Sequence, residues 1–259
     1  MAEDANTKYL IHCDGADAST TFTDELGHTV TRTGNGQVDT AQSKFGGAAY
    51  LGDGSGDNVS IADHADLDVG TGNWTIDFWL RWNGTPNNCW LFHKGHDSPN
   101  STYTFMCQCW PGSNWIYIQI NNGGTVVSAM QQSWTPSADT WYHLAFVRSG
   151  TSLFLFIDGV KKTGDMSYQA FASGAACPTT TDPLKIGSYQ DASYSFKGWI
   201  DEIRISKGTA RWTADFTPPT EAYTVSTTAI KSINGLAKAS VKSHNGLAIA
   251  SVKSINGLA

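Results

Sequence analysis

The side chains best suited to binding a ligand lie on two strands predicted near the middle of the chain. In the second strand, isoleucines occupy every other position and form the predicted core set, so Trp115, Tyr117 and Gln119 face the other way. If the preceding strand, which begins at Tyr103, buries Tyr103 in the core, then Trp110 lies on the same outward face as those three residues. Aromatic rings stack on the apolar side of a pyranose and amides hydrogen-bond its hydroxyls, although ordinary cross-strand aromatic pairing is the alternative for each residue.

These side chains must be positioned by short strands. The chain has 259 residues, of which 12% are aromatic, including ten Trp, and only 15% are charged, a composition typical of sandwiches and barrels. Roughly a dozen short strands and no persuasive long helix predict one all-β domain over residues 9–223, a two-layer antiparallel sandwich. Residues 1–8 form an N-terminal extension and residues 224–259 a separate tail.

A double-sided hairpin is predicted from Trp141 to Lys162, with two apolar runs around a tight polar turn. Both alternating positions of the first run are apolar, so both faces of the hairpin must be covered. We expect the second sheet to cover one face and the region from Trp110 to Tyr117 to cover the other.

Charge is unevenly distributed along the chain. The formal net charge is −6, yet no acidic residue follows Glu221, and the preceding part carries 13 basic against 23 acidic residues. Nucleic-acid binding needs a basic face, so the acidic body argues against a nucleic-acid partner.

The N-terminal stretch and the cysteines bear on where the protein functions. The first ten residues lack a basic and then apolar segment, and no run of eighteen apolar residues occurs, so we expect neither a signal peptide nor a membrane span. The protein either works inside a cell or leaves it by lysis or by assembly into a particle. The five cysteines lack zinc-type spacing and are expected to be buried thiols, with a Cys89 bond to Cys107 or Cys109 as the alternative.

The tail carries an eleven-residue repeat with the pattern Lys-Ser-x-Asn-Gly-Leu-Ala. Asn-Gly is a strong hairpin-turn signal between the short alternating segments. So short a repeat cannot bury much surface alone, and we expect it to complete its sheet with a partner or with other copies of itself. The predicted assembly residues are Asn234, Gly235, Asn245, Gly246, Asn256 and Gly257.

Six sequence blocks together resemble the concanavalin A-like laminin G/pentraxin modules, in the same order along residues 9–223. The resemblance implies a jelly-roll sandwich whose members usually bind glycans or proteins, often with calcium, and it implies that catalysis is not the default. It also implies that His143 is a core position rather than a ligand or base. The blocks are Lys44–Ile61, Trp74–Trp79, Trp141–Arg148, Phe156–Val160, Leu184–Ser188 and Gly198–Ile205.

The same resemblance implies two candidate Ca²⁺ sites. Pentraxin-like modules bind calcium at loops that correspond to His96-Asp97 and to Gln190-Asp191, and this sequence keeps part of their acidic set. Related jelly rolls have a structural site that corresponds to Asp14 near the first strand and Asp201 near the last. Asp14-Gly15 is, alternatively, a routine turn signal.

Catalysis is not predicted. A retaining glycosidase needs two carboxylates about 5 to 5.5 Å apart. The only adjacent acids in a late strand, Asp201 and Glu202, are expected on opposite faces because side chains alternate.

We therefore predict a non-enzymatic module that binds a surface glycan, with Trp110, Trp115 and Tyr117 stacking and Gln119 and Asp97 as polar contacts. The tail repeat resembles C-terminal segments of bacteriophage structural proteins, which predicts display on a virion or particle surface as a homo-oligomer joined to other virion subunits. One alternative is a purely structural decoration protein without a ligand. Another is a glycoside hydrolase or a secreted cell adhesin.

Overall fold

The computed structural model of the chain describes residues 4–97 and 100–224, together with the strand segments 232–233, 236–237, 243–244 and 247–248. The described residues between 4 and 224 form a sandwich of two antiparallel sheets, which confirms the predicted all-β jelly-roll class. Two short 3-10 helices span Ala65–Leu67 and Pro111–Ser113. The strands of the sandwich are β1 Thr7–Ile11, β2 Val30–Thr33, β3 Gln37–Asp39, β4 Ala49–Asp53, β5 Asn58–Ile61, β6 Trp74–Trp82, β7 Cys89–His96, β8 Thr102–Trp110, β9 Trp115–Asn122, β10 Thr125–Ser133, β11 Trp141–Ser149, β12 Ser152–Ile157, β13 Val160–Lys161, β14 Ser167–Gln169, β15 Leu184–Ile186 and β16 Lys197–Lys207.

The two sheets are built from strands far apart in sequence. Within the described residues, the first sheet has the order β13-β12-β11-β6-β16-β4-β3, with β1 also paired to β16. The second sheet has the order β14-β10-β9-β8-β7-β15-β5-β2. The first and last strands of the sandwich therefore pair with each other.

The core lies between the sheets and follows the alternation of the sequence. In β6, Ile76, Phe78 and Leu80 are buried in this core, and in β9 Ile116 and Ile118 meet them from the second sheet. Full burial of each such side chain contributes roughly 1.5–3 kcal/mol. The predicted core positions of these two strands are thus confirmed.

The outer face of the first sheet is covered by the segment after β16, residues 208–223. The rings of Trp212 and Phe216 in this segment stack 4.0 Å apart and pack against buried Val147 and Phe156 of β11 and β12. The expectation that residues Trp110–Tyr117 cover this hairpin face is wrong, because those residues lie on the second sheet.

A tight turn between β12 and β13 packs directly beneath the covering segment. Asp158 and Gly159 link β12 to β13 with φ of 50° and 76°, values suited to a two-residue hairpin turn. A Cβ on Gly159 would lie 1.9 Å from the carbonyl oxygen of Phe216, so only glycine fits beneath the covering segment.

A buried polar network lies under the same segment. Arg204 donates to both carboxylate oxygens of Asp77 at 3.0 Å, and the Tyr223 hydroxyl donates to Oδ2. Burial by itself would raise the pKa of Asp77, but Arg204 and His143 hold that pKa at about 2. His143 is fully buried, as expected of a core position.

The five cysteines lie within the described part of the chain, whereas the predicted assembly residues of the tail do not. All five cysteines are buried and unpaired, although Cys89 and Cys109 face each other across β7 and β8. Strands β17 Ser232–Ile233 and β18 Leu236–Ala237 pair, as do β19 Ser243–His244 and β20 Leu247–Ala248. The assembly residues Asn234, Gly235, Asn245, Gly246, Asn256 and Gly257 lie outside the described residues.

The sequence also predicts no membrane-spanning segment. Along the described residues, no helix has the length and apolar character needed to span a bilayer.

Candidate functional site

An aromatic and amide surface occupies the outer face of the second sheet. Its rows are set by strand register, since Trp110 lies opposite Trp115 and Gln108 lies opposite Tyr117. Directly opposed side chains share one face of a sheet, so these residues form a continuous surface. We call this surface the aromatic face; it comprises Trp90, His93, Tyr103, Met106, Gln108, Trp110, Trp115, Tyr117, Gln119, Gln131, Tyr189 and Tyr194.

The predicted stacking residues lie together at one end of this face. The indoles of Trp110 and Trp115 are stacked, with centroids 5.2 Å apart and planes 5° from parallel. The connection between β8 and β9 is short, and Asn114 completes it in the left-handed conformation at φ 61°. Tyr117 approaches Trp115 edge-on at 6.4 Å. The short turn therefore holds both indoles in place.

Sequence reasoning missed several members of the face. Tyr194, which is 57% exposed, lies 5.5 Å from Trp110, and Tyr189 lies 4.5 Å from Trp90. Tyr103 was expected in the core, but a register shift after it places it in the outer cluster with Trp90. The two tyrosines in the turn from Tyr189 to Tyr194 were the one sequence feature that could have indicated this part of the face. Only the tertiary fold brings that turn to β7 and β8.

His93 lies under the aromatic part of this face. Its ring packs within 5.3 Å of Trp90, Tyr103 and Tyr189. Burial lowers the pKa of His93 to about 4, so the ring is neutral at physiological pH. We infer that His93 supports the aromatic rings and carries no charge toward a ligand.

Amide groups alternate with the rings. Tyr117 is flanked by Gln108 on β8 and Gln131 on β10, and Gln119 follows on the same face of β9. All three glutamines are half-buried, and within the described part of the chain their side-chain amides make no hydrogen bond to protein. These amides can donate to and accept from ligand hydroxyls.

Asp97 is not brought to the stacked indoles. It lies in the loop before β8, where Ser101 donates to it at 3.5 Å, whereas Trp110 ends that strand. At about 3.3 Å per residue, eight residues of β8 separate the two ends by roughly 26 Å. The acid nearer to the aromatic face along the chain is Asp191, in the turn between Tyr189 and Tyr194.

The pentraxin-type calcium pair is also separated. His96 ends β7 and contacts Asp182 at 2.7 Å, while the turn with Asp191 is bonded to the other end of that strand, where Trp90 donates to the Tyr194 carbonyl at 2.9 Å. Asp191 instead accepts from the Ser193 backbone N–H at 2.9 Å. These contacts do not assemble His96, Asp97 and Asp191 into one ligand set.

Asp14 and Asp201 do converge, at the loop before β4. Oδ2 of Asp201 accepts from the N–H groups of Lys44 and Phe45 at 2.7 and 3.1 Å, while its buried Oδ1 has no partner among the described residues. The Asp14 carboxylate lies so close to the same loop that a Cβ on Gly46 would be 2.0 Å from its Oδ2. Burial, together with the charges of nearby Glu202 and Asp14, raises the pKa of Asp201 to about 7. An orphaned buried carboxylate oxygen near a second carboxylate fits a hard cation such as Ca²⁺.

Asp201 and Glu202 do not follow the alternation that was expected. Glu202 has φ 53°, and the pairing of β16 with β6 shifts register between Asp201 and Arg204. Glu202 contacts His12 Nδ1 at 2.6 Å and accepts from the Tyr223 N–H at 2.8 Å. Both carboxyl groups are almost fully buried, so neither meets solvent or a bound polysaccharide in this arrangement.

The family follows from a sequence comparison. Residues 53–213 match the family model described as the Concanavalin A-like lectin/glucanases superfamily. The chain belongs to this superfamily. None of the curated protein sequences matches the chain significantly.

Solved structures support the same superfamily fold. The binding domain of Paraclostridial Mosquitocidal Protein 1 aligns with a TM-score of 0.59 at 12% identity, covering 79% of this chain and 49% of that one. Domain 4 of AbnA, a GH43 extracellular arabinanase from Geobacillus stearothermophilus in complex with arabinotriose, aligns at 0.51 and 19% identity, covering 80% and 95%. A Trypanosoma rangeli sialidase aligns at 0.56 and 10% identity, covering 79% and 31%. The chain thus spans about half the length of the first of these structures.

The region that matches the superfamily model contains the aromatic face but only part of the candidate cation site. All residues of the aromatic face lie within residues 53–213, as does Asp201, whereas Asp14 precedes the matched region. The candidate cation site therefore joins a residue of the superfamily region to the N-terminal strand.

Proposed function

We propose that this chain is a non-catalytic carbohydrate-binding module and that the aromatic face is its binding surface. The observation that carries the proposal is the stacked pair Trp110 and Trp115 beside side-chain amides that make no hydrogen bond to the part of the protein that the structure describes. A sugar ring needs both an apolar platform and hydroxyl partners, and this face offers them side by side.

Preorganisation supports the proposal. The indoles are held by a short turn and by each other, so little side-chain freedom remains to be lost when a ligand binds. Tyr117 and Gln119 continue the surface along β9, which provides room for more than one sugar unit. Asp191 replaces Asp97 as the proposed acidic contact, because its turn carries Tyr189 and Tyr194.

Solved relatives of the same fold give further support. A domain of an arabinanase was determined with arabinotriose, and the botulinum neurotoxin DC binding domain was determined in complex with SialylT. At 19% and 12% identity these likenesses concern the fold, and the ligand of this chain rests on its own aromatic face.

We extend the proposal to display on a particle, such as a bacteriophage virion, through the repeated tail of residues 224–259. Support comes from the regular repeat and its resemblance to phage structural proteins. Linked copies provide effective concentrations on the order of millimolar, so weak individual sites become useful when many act together. The copies would be joined to each other and to other particle subunits by the Asn-Gly segments.

Calcium is a separate part of the proposal. Asp14 and Asp201 would supply carboxylate oxygens, including the orphaned Oδ1 of Asp201, and the ion would neutralise buried negative charge. Its role would be to connect the N-terminal strand to the last strand.

The direct test is a glycan array probed with the full chain, presented multivalently on beads. We expect binding to a defined set of glycans, inhibition by the same free glycan, and a weaker signal with the Trp115→Ala variant. An array that stays silent with correctly folded multivalent protein would contradict the proposal, and so would a signal that Trp115→Ala leaves unchanged.

A further inference from the structure

A second cluster of ligating side chains lies away from the aromatic face and from Asp201. His28 belongs to the connection between β1 and β2, while His64 and Asp66 belong to the turn before β6. One possible ligand atom from each of the three lies within 4.8 Å of the others. We call these residues the His-Asp cluster.

The spacing of the cluster matches that of metal ligands. His28 Nε2 lies 3.4 Å from Asp66 Oδ2, and His64 Nδ1 lies 3.3 Å from the same oxygen. Zinc bonds to imidazole nitrogen and carboxylate oxygen of about 2.1 Å give neighbouring tetrahedral ligands a separation of roughly 3.4 Å. Two of the three edges therefore already have the required length.

The hydrogen bonds of His28 leave the correct nitrogen available. Buried Asp24 lies 2.7 Å from His28 Nδ1 through Oδ2, and its Oδ1 accepts from the Leu10 N–H at 2.7 Å. A carboxylate can only accept, so Nδ1 carries the proton and Nε2 of the neutral ring has a free lone pair toward Asp66. A carboxylate behind a histidine is the usual outer-shell arrangement at metal sites.

His64 Nδ1 and Asp66 Oδ2 lie close together without a hydrogen atom between them. His64 Nδ1 accepts from the backbone N–H of Asp66 at 3.2 Å, so this nitrogen has no proton to donate to the nearby Oδ2. Two acceptors therefore face each other at 3.3 Å. A cation makes this contact attractive, at the expense of the N–H hydrogen bond.

The His-Asp cluster is accessible to an incoming metal ion and packs against an aromatic ring on its inner side. The side chain of His64 is 51% exposed, which leaves room for water on an incoming metal ion. Tyr9 packs its ring 4.2 Å from that of His28, and its buried hydroxyl has no hydrogen-bond partner among the described residues. The cluster is thus ordered on its inner side and open on its outer side.

We propose that His28, His64 and Asp66 bind a divalent transition metal, with Zn²⁺ as the expected ion and water completing its coordination. Two imidazoles and one carboxylate suit zinc, whereas calcium takes oxygen ligands. The ion joins the connection after β1 to the turn before β6, so its effect is to stabilise the N-terminal part of the sandwich. This site is independent of the proposed glycan binding.

The experiment measures Zn²⁺ binding to the tag-free full chain by calorimetry after chelation, with Co²⁺ absorption as a spectroscopic check. We expect one equivalent of Zn²⁺ in wild type and at least a tenfold loss of affinity in His64→Ala and in Asp66→Asn. Asp24→Asn should weaken binding about 10- to 100-fold through the orientation of His28.

Two matched controls separate this site from others. His96→Ala removes a histidine that also contacts an aspartate, Asp182 at 2.7 Å, and should leave Zn²⁺ affinity unchanged. Asp201→Asn should do the same. Wild-type affinity no higher than that of His64→Ala would overturn the proposal, as would a His28 ring that NMR shows to stay doubly protonated between Asp24 and Asp66 in excess Zn²⁺.

Discussion

Trp110 and Trp115 stack with their indole centroids 5.2 Å apart at the point where β8 turns into β9. They are register partners, so the sheet itself brings the rings together, and the short turn keeps them there. One face of each ring is occupied by the other, and Tyr194 lies 5.5 Å from Trp110. Tyr117 lies edge-on to Trp115 at 6.4 Å, so the two indoles and these tyrosines form one continuous aromatic surface.

Replacing Trp115 with alanine should weaken glycan binding. An aromatic contact contributes about 0.5–1.5 kcal/mol beyond the area that it buries, so we expect Kd to rise by at least about 2-fold. Titration calorimetry with a glycan identified on the array measures the change. Trp212→Ala is the matched control, since Trp212 stacks on Phe216 on the opposite sheet, and equal losses in both variants would point to general destabilisation instead.

Replacing Asp97 with alanine should leave glycan affinity within about twofold of wild type. The residue precedes β8, and the two ends of that strand are roughly 26 Å apart at 3.3 Å per residue, with the stacked indoles at the far end. The same titration measures the effect, with Asp191→Ala compared in parallel. A large loss in Asp97→Ala and none in Asp191→Ala would restore the sequence-based assignment.

The variant Asp201→Asn should change stability in opposite directions with and without calcium. In chelator it should melt higher than wild type at pH 8, because it removes a buried carboxylate whose ionisation is disfavoured by burial. Wild type should gain stability when Ca²⁺ is added and the variant should not. Thermal melts measure both effects, and a wild-type melt insensitive to Ca²⁺ argues against the Asp14 and Asp201 site.

Breaking the buried ion pair should be severely destabilising. Asp77→Asn leaves the Arg204 guanidinium buried without its counter-charge, for which we expect a loss of about 3–5 kcal/mol in the free energy of unfolding. Because the pKa of Asp77 is lowered to about 2, its contribution should persist at pH 4 and disappear only as the pH falls toward 2. Urea unfolding measures this, with Asp139→Asn expected to cost no more than about 1 kcal/mol, because Asp139 is half exposed in its pair with Arg81.

His93 should make the sandwich less stable in mild acid. Its pKa is lowered from 6.5 to about 4 in the folded chain, so between these values the unfolded chain binds a proton that the folded chain does not. Stability should therefore fall as the pH decreases from 6.5 to 4, by about 2–3 kcal/mol from this residue. His93→Phe should show a smaller decrease over that range, and parallel curves for the two proteins would refute the assignment.

The sequence predicted the parts of the fold that depend on local alternation. Strands β6 and β9 place their apolar residues in the core as expected, because an uninterrupted strand has a period of two. For the same reason the alternation predicts one shared face for Trp110, Trp115, Tyr117 and Gln119. The register of β8 with β9 confirms that grouping.

Where a strand contains a bulge, strict alternation predicts the wrong face for the neighbouring residues. Tyr103 moves to the outer face after a register shift in β8, and the positive φ of Glu202 interrupts β16 beside Asp201. An extra residue in a strand reverses the face of every residue beyond it, and its position depends on the partner strand.

By itself, then, the sequence determined the all-β class, the core of the regular strands and the shared face of Trp110, Trp115 and Tyr117, because these depend on alternation along each strand. Only the tertiary structure decided that residues 208–223 cover the hairpin, that Tyr189 and Tyr194 join the aromatic face, and that His28 meets His64 and Asp66. Each of those contacts joins segments from separate parts of the chain. Their positions follow from how the two sheets pair and pack, which no local pattern encodes.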